Sequence, residues 1–292
     1  MAQDTLARVL VTGSKGQLGA AFVERLSGQS ALLGVDIDDV DITDAASVRA
    51  VVGAHRPTLI LNCAAFNDVD GAEARPLAAY RLNAEAVWTL AHAAREAGAV
   101  LVHYGSEFVY DGRAGRPYTE EDPPAPLSVY GLTKLVGERY ASMAARGYVF
   151  RLSSLYGGHT RRSTIDWIVR QAQAGKPVRA FADRTVSPSY VPDVVEATLR
   201  LVGDERQPGL YNCGAADWCT WADIAALILE KLGRPELLEP VPFVAAPDQA
   251  ARPKHCAMSS AKLARAGFTP RSCSEALADY LSRCLTCAPA PQ

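Results

Sequence analysis

The chain has 292 residues, 49% hydrophobic and 21% charged, with a formal net charge of -2. That length supports a sizeable core in one large domain or two lobes, and the composition is that of a globular protein. The near-neutral balance gives no electrostatic case for a nucleic-acid or membrane-surface partner, and no apolar run approaches the ~20 residues that cross a bilayer.

"ARVLVTG" opens the chain's pattern as a short β-rich run, and "QLGAAFVERL" follows with helical spacing. Between them lie Gly13, Gly16 and Gly19, spaced GxxGxxG. Glycine tolerates φ > 0 and lets a backbone approach a phosphate closely. The helix start offers free N–H groups and a positive dipole end to a pyrophosphate. Gly19 would let the helix pack tightly on the sheet. By itself GxxGxxG is a tight turn; after a first strand and before a helix it marks a dinucleotide site. "ALLGVD", the second strand, ends at Asp36. A carboxylate there binds the adenine ribose hydroxyls and repels a 2′-phosphate, which favours NAD(H). Lys15, inside the glycine loop, would instead attract that phosphate, so NADP(H) stays open. Asp41 and Ile42, in "DITD", are candidates for the adenine pocket, and Asp44 is the expected N-cap of "DAASVRAVVGAH".

"TLILNCAA" is the third strand, "PLAAYRLNAEAVWTLAHAAREAG" one long helix ending at Gly98, and "AVLVHYGS" the fourth strand. That strand sets Ser106 near its C-terminal end, where parallel sheets bind ligands. A long polar loop, "DGRAGRPYTEEDPPAPLS", leads into the helix "SVYGLTKLVGERYASMAARG" and the strand "YVFRLSS". Strands alternating with helices imply parallel pairing and a doubly wound sheet. After Tyr156 the rhythm changes. "STIDWIVRQAQAG", "VPDVVEATLRLVG" and "TWADIAALILEKLG" read as helices, followed by proline-rich chain. The expectation is an α/β protein: a Rossmann-type doubly wound parallel sheet over residues 1–155, and a smaller C-terminal substrate-binding lobe from 156–190 and 204–292. The helix near 191–203 is expected to return to the first domain, and the tail "TCAPAPQ" to fray.

The seven cysteines, Cys63, Cys213, Cys219, Cys256, Cys273, Cys284 and Cys287, are odd in number. Nothing in "MAQDTLARVLVTG" resembles a secretory signal, so free thiols and a cytoplasmic location are expected. Cys284 and Cys287 form a CxxC without a second Cys/His pair, and read as incidental thiols; no metal site is expected.

The chemistry lies in "SVYGLTK". Tyr130 and Lys134 share a helix face at i and i+4. A tyrosine titrates near ~10, and an adjacent ammonium lowers that value, which suits proton transfer to a substrate oxygen. On an ordinary helix the same pair is an aromatic beside a snorkelling lysine. Hydride transfer needs a polarised carbonyl, a proton donor and a nicotinamide beside them. Ser106 can bond the oxygen that Tyr130 protonates, and Lys134 can hold the nicotinamide ribose and tune Tyr130. Glycine loop, serine strand and Tyr-x-x-x-Lys helix in this order are far more specific than any one part.

The motifs "TGSKGQLG", "DITD", "LNCAAFNDVDGAE", "SEFVYDG", "PYTEEDPPAPLSVYGLTKLVGE", "RLSSLYG" and "ARPKHCAMSSAKL" occur in the order of one family. Over about residues 8 to 285 the chain resembles the extended short-chain dehydrogenase/reductases, and among them the dTDP-4-dehydrorhamnose reductase family. The resemblance implies NAD(P)H-dependent reduction of the C4 ketone of a nucleotide-activated 4-keto-6-deoxy sugar, foremost dTDP-4-dehydro-L-rhamnose to dTDP-L-rhamnose. Its rivals are a sugar epimerase or dehydratase of the same superfamily, which recycles its NAD, and a non-catalytic relative like the regulatory subunit of methionine adenosyltransferase. The resemblance places Ser106, Tyr130 and Lys134 in the catalytic positions, and Gly13, Gly16, Gln17, Leu18 and Gly19 in the pyrophosphate loop. Cys63, Ala64 and Ala65 fall on a turn lining the cofactor, and Asn83 falls on a further cofactor-binding position. Asn67, Glu107, Ser154 and Arg252 fall on the substrate side, Arg252 near the nucleotide-sugar phosphates.

Departures from the family concentrate on the sugar pocket. Serine replaces threonine at 106, and Glu107 replaces an aspartate. Ser153-Ser154 stands where the family has Ser-Trp, and "DRTVSPS" where it has "DQFGSPT". A different sugar or nucleotide therefore stays open. Some relatives dimerise around an interface metal, so a homodimer is also open.

Overall fold

The computed structural model describes residues 5–158, 160–244 and 249–286, with the side chains of 285 and 286 left aside. Cys287 and the rest of the tail lie outside the described residues. Strands β1 (Arg8–Thr12), β2 (Ala31–Val35), β3 (Leu59–Asn62), β4 (Val100–Ser106) and β5 (Gly147–Leu152) carry the first half of the chain. β6 (Val178–Phe181), β7 (Thr185–Val186), β8 (Gly209–Asn212), β9 (Cys219–Thr220) and β10 (Leu238–Val241) follow. Helices α1 (Gln17–Leu26), α2 (Ala45–His55), α3 (Val69–Ala74), α4 (Pro76–Tyr80), α5 (Ala86–Ala97) and α6 (Val129–Ala141) alternate with the early strands. α7 (Thr164–Gln173), α8 (Val191–Gly203), α9 (Trp221–Lys231), α10 (Ala261–Arg265) and α11 (Cys273–Thr286) complete the chain.

The main sheet has the order β2-β1-β3-β4-β5-β8, and every pair in it is parallel. Strand direction of growth reverses between β1 and β3, which makes the crevice at their C-terminal ends the expected ligand site. The strands are apolar at nearly every position because helices cover both faces. Val9, Val11, Leu59, Leu61, Val102 and Phe150 face one core with α1 and α8, while Leu10, Ile60, Leu101 and Val149 face the other with α2 and α5. This is the doubly wound α/β sheet that the strand-helix rhythm predicts.

Local chemistry sets the helix ends. Asp44 caps α2 by accepting from the backbone N–H groups of Ala46 and Ser47. Ser163 with Asp166 and Thr220 with Asp223 form capping boxes at α7 and α9. The long helix expected over 76–98 is divided. α4 runs into a π-helical turn, Arg81–Glu85, and α5 begins after it, ending at Gly98 in the left-handed region.

The smaller lobe has its own core, in which Ile165, Ile168, Val178, Trp221, Ile228, Leu277 and Leu281 pack together. Helix α11 supplies part of it, although no element was expected there. The boundaries also need correcting. Helix α8 packs on the main sheet as expected, but so does more of the chain after 204. β8 pairs with β5 along Tyr148–Arg151, and Leu263 of α10 joins the main core. Tyr211 and Leu263 join one core of the main sheet and Leu210 packs against the other, so packing, and not their place in the chain, assigns these segments.

Candidate active site

β1 ends in the glycine loop, and the three glycines have distinct reasons. Gly13 has φ 65° and lies against the turn after β3; a Cβ on it would sit 2.7 Å from the Ala64 nitrogen. On Gly19 a Cβ would lie 2.1 Å from the Gly13 carbonyl oxygen, so α1 closes on its own loop. Gly16 serves as the N-cap of α1 with no side-chain cap. First-turn N–H groups thus face the crevice without a side-chain acceptor. Leu18 is buried in the core beneath. The Gln17 amide donates to the Gly157 carbonyl at 2.6 Å, tying this loop to the chain after β5. Gly157 and Gly158 both have positive φ, 89° and 77°, a feature that sequence reasoning missed. Its signal was the Gly-Gly pair in the loop that follows β5. This cradle, with no room for a Cβ at Gly13, Gly19 or Gly157, fits a dinucleotide's pyrophosphate.

Asp36 stands at the end of β2 and accepts from the backbone N–H groups of Lys15, at 2.9 Å, and Ile37. Lys15 turns its ammonium to Asp38 at 2.8 Å. Both side chains of that pair are well exposed. The two expected adenine-pocket residues are otherwise engaged. Asp41 accepts from Thr43 within its own turn, and the Ile42 side chain belongs to the core with Val35 and Val48.

The turn after β3 is held from below. Asn83, on the π-helical turn, accepts from Phe66 N at 2.8 Å and donates to Phe66 O and to Thr133. Asn83 is fully buried, so it positions the 63–66 turn and does not present its amide to a ligand. Desolvation pushes the Cys63 thiol well up, leaving it a neutral group. Ala64 and Ala65 are half-buried beside it, and Asn67 is exposed at the turn's end.

Ser106 ends β4, and Tyr130 and Lys134 stand one turn apart on α6; all three are buried. Ser128 caps α6 through the Gly131 N–H, which directs the helix start at the strand end. Ser106 is near enough to Tyr130 to oppose the upward shift of the phenol. Ser106 donates to Glu107 Oε2 at 2.8 Å, and Ser153 donates to Glu107 Oε1 at 3.3 Å. Glu107 is only 4% exposed, and burial raises its carboxyl pKa, opposed by Ser106, Ser153 and the Arg184 charge.

The expectation that Lys134 lowers the Tyr130 pKa is corrected. Burial pushes Tyr130 well up, the Glu107 carboxylate adds to this, and Ser106 opposes it. The Lys134 ammonium instead donates to the Tyr104 carbonyl at 2.5 Å. Burial pulls Lys134 down to about 8, with Glu138 partly opposing.

On the substrate side, Ser154 has φ 46°, a conformation that only a constrained non-glycine residue adopts. Arg252 does not stand free. It pairs with Asp70 of α3 through two N–H groups at 3.0 and 2.7 Å, bridging the smaller lobe to the main one. Sequence reasoning missed Arg184, whose charge acts on Glu107 while its Nε donates to the Pro253 carbonyl. Its position in "DRTVSPS", where the resembled family reads glutamine, was the available signal.

A family model described as the RmlD substrate binding domain matches residues 7–286. A dTDP-4-keto-6-deoxy-D-glucose reductase of Streptomyces niveus is 34% identical over 267 residues, covering 90% of this chain and 92% of that one. A dTDP-4-dehydrorhamnose reductase of Mycobacterium tuberculosis is 34% identical over 284 residues, covering 94% and 92%. The crystal structure of a dTDP-4-dehydrorhamnose reductase from Bacillus anthracis in complex with NADP superposes with a TM-score of 0.88 at 30% identity, covering 95% of this chain and 99% of that one. Matched from residue 7 to residue 286, the chain belongs to the RmlD substrate binding domain family.

Proposed function

We propose that this protein is an NAD(P)H-dependent reductase of the C4 ketone of a nucleotide-activated 4-keto-6-deoxy sugar, with dTDP-4-dehydro-L-rhamnose as the leading substrate. The observation that carries the reading is the buried grouping of Ser106, Tyr130 and Lys134 at the C-terminal end of β4, beside a glycine cradle at the sheet's switch point. The names of the relatives supply the substrate class, and they differ in the sugar.

A bound nicotinamide supplies the hydride. Gly13, Gly16, Gln17, Leu18 and Gly19 hold the pyrophosphate, and Cys63, Ala64 and Ala65 wall the cofactor. Tyr130 keeps its proton at neutral pH because burial opposes the phenolate. It releases that proton when the sugar oxygen becomes an alkoxide, a far stronger base than the ketone. Ser106 binds the same oxygen and favours the charged state over the ketone. Lys134, with one N–H given to Tyr104, keeps two for the ribose hydroxyls. Arg252, carried by Asp70, is the cation for the substrate's phosphates. Asn67 and Ser154 face the sugar, and Glu107, buried behind Ser106, reaches it only through that hydroxyl.

The cofactor follows from charge. Lys15 is already matched by Asp38, so a 2′-phosphate would meet Asp36 and Asp39 with no spare cation in that loop. NADH is the expected reductant, although the Bacillus anthracis relative holds NADP.

The test is a coupled assay. Purified protein, dTDP-4-dehydro-6-deoxyglucose, a 3,5-epimerase and NADH or NADPH are mixed, and the loss of nicotinamide absorbance is followed. Oxidation giving dTDP-L-rhamnose is expected. The Tyr130→Phe variant should lose about 10²- to 10⁴-fold in turnover, the usual worth of a general acid, with cofactor affinity nearly unchanged. Near-normal turnover in that variant would sink the assignment.

A further inference from the structure

The reductase reading asks Ser106 to donate a hydrogen bond to the substrate oxygen, and a hydroxyl has one proton to give. In the structure that proton is committed. Ser106 donates it to Glu107 Oε2 at 2.8 Å, while its oxygen accepts from Phe108 N at 3.2 Å. Tyr130 titrates under the influence of Ser106, which opposes the upward shift of its phenol. Glu107 directly follows Ser106 in the chain, opens the 3-10 turn Glu107–Val109, and is buried. Its other oxygen accepts from Ser153. The titratable and charged groups facing it are Arg184, Tyr130 and Cys256.

Two protonation states of Glu107 give Ser106 opposite roles. An ionised carboxylate accepts only, so it keeps the serine's proton and turns a lone pair toward the substrate oxygen. A carboxylic acid can donate, and its natural acceptor is Ser106 Oγ. We propose that Glu107 is a positioning residue of the acid–base site: as the neutral acid it donates to Ser106 Oγ and so releases the Ser106 proton to the ketone oxygen of the substrate. No bond is made or broken at Glu107. The proton that reaches the alkoxide comes from Tyr130, and Glu107 decides only which way the serine points. Desolvation raises the carboxyl pKa, in the direction this role needs, against the opposing pull of Ser106, Ser153 and Arg184.

The inference rests on the reductase reading, and the experiment separates the two. The pH profile of kcat/KM is measured for wild type and Glu107→Gln with the 4-keto sugar and NADH. Wild type should fall about tenfold per pH unit above the Glu107 carboxyl pKa until it reaches the activity of the ionised form. The glutamine amide donates to Ser106 at every pH. That variant should stay within about threefold of the wild-type acid plateau and lack the limb. Infrared difference spectra give a readout independent of turnover. A protonated buried carboxyl band should persist in wild type above the ordinary carboxylate range of about 4.3 and be missing in Glu107→Gln. The limb surviving in Glu107→Gln would overturn the proposal. So would a loss of more than about 100-fold in that variant with cofactor binding intact, since the charge would then be required. An ionised carboxylate throughout the range would do the same. If wild type reduces no 4-keto sugar, the reductase reading fails alone, and the infrared titration still decides where the Glu107 proton sits.

Discussion

Among single residues, the acid–base group is governed by burial more than by pairing. Helical spacing suggests that Lys134 tunes Tyr130, yet the ammonium turns to the Tyr104 carbonyl and the phenol is pushed up by desolvation. A neutral, reluctant phenol suits reduction, in which the acid must arrive protonated. In the proposed reading Asp36 acts by charge. Two unit charges about 4 Å apart interact by about 1–4 kcal/mol between bulk water and a protein surface. Replacing Asp36 with Ala should therefore raise the NADPH-to-NADH ratio of kcat/KM by about tenfold or more. Steady-state assays with both cofactors check this, and an unchanged ratio would mean that Asp36 does not face the ribose. Asp36 was legible in the sequence because its place follows from one strand end. Arg184 was not, since a loop of unknown path gives no direction to a side chain.

At the level of elements, the π-helical turn Arg81–Glu85 and helix α6 form a matched pair. Apolar spacing over 76–98 predicted one helix, because a single extra residue barely disturbs the pattern. The insertion is explained by Asn83, whose amide satisfies both backbone groups of Phe66 and so fixes the turn proposed to wall the cofactor. Gly137 of α6 lies against that turn. A Cβ there would sit 2.1 Å from the Asn83 carbonyl oxygen. Gly to Ala inside a free helix stabilises by up to about 1 kcal/mol. Here the close backbone should reverse the sign, and Gly137→Ala should lose about 1–3 kcal/mol, the usual cost of overpacking. Urea unfolding measures it, and a more stable variant would contradict the packing described. A raised KM for NADH should accompany the loss, because the 63–66 turn moves with Asn83.

Across the whole molecule, a buried polar row runs beneath the site. Thr12 donates to Asn62 at 2.7 Å, and the Asn62 amide meets His103 Nδ1 at 3.1 Å. The imidazole Nε2 has no partner among the described residues. Burial and then the Lys134 charge hold the His103 pKa well below its ordinary value, so it is neutral in the folded protein. In the unfolded chain it takes up a proton below about 6.5. Stability from this group is therefore present above that pH and lost as pH falls through it toward the folded value. The loss is at most about 1.4 kcal/mol per pH unit. His103→Asn, which keeps an acceptor for Asn62, should flatten the pH dependence of the urea midpoint between about pH 6.5 and 5. Equal slopes in the two proteins would show that His103 titrates alike in both states. The Arg151–Glu138 pair, bonded at 2.7 Å and almost fully buried, joins β5 to α6 in the same region. It could not be read from the chain, because its partners are set by strand register and helix placement.

The sequence by itself determined the alternation of strands and helices, the glycine loop, and the Ser106, Tyr130 and Lys134 set, because each rests on local spacing and on backbone freedom. Tertiary structure alone decided that β8 and Leu263 belong to the main lobe, that Asn83 supports the turn instead of the ligand, and that Arg252 is tied to Asp70. It also decided that Ser106 Oγ meets the Glu107 carboxyl. These are questions of which buried donor meets which acceptor. Partners distant in the chain answer some of them, and the direction of a single hydroxyl answers the last, which spacing along the sequence does not encode.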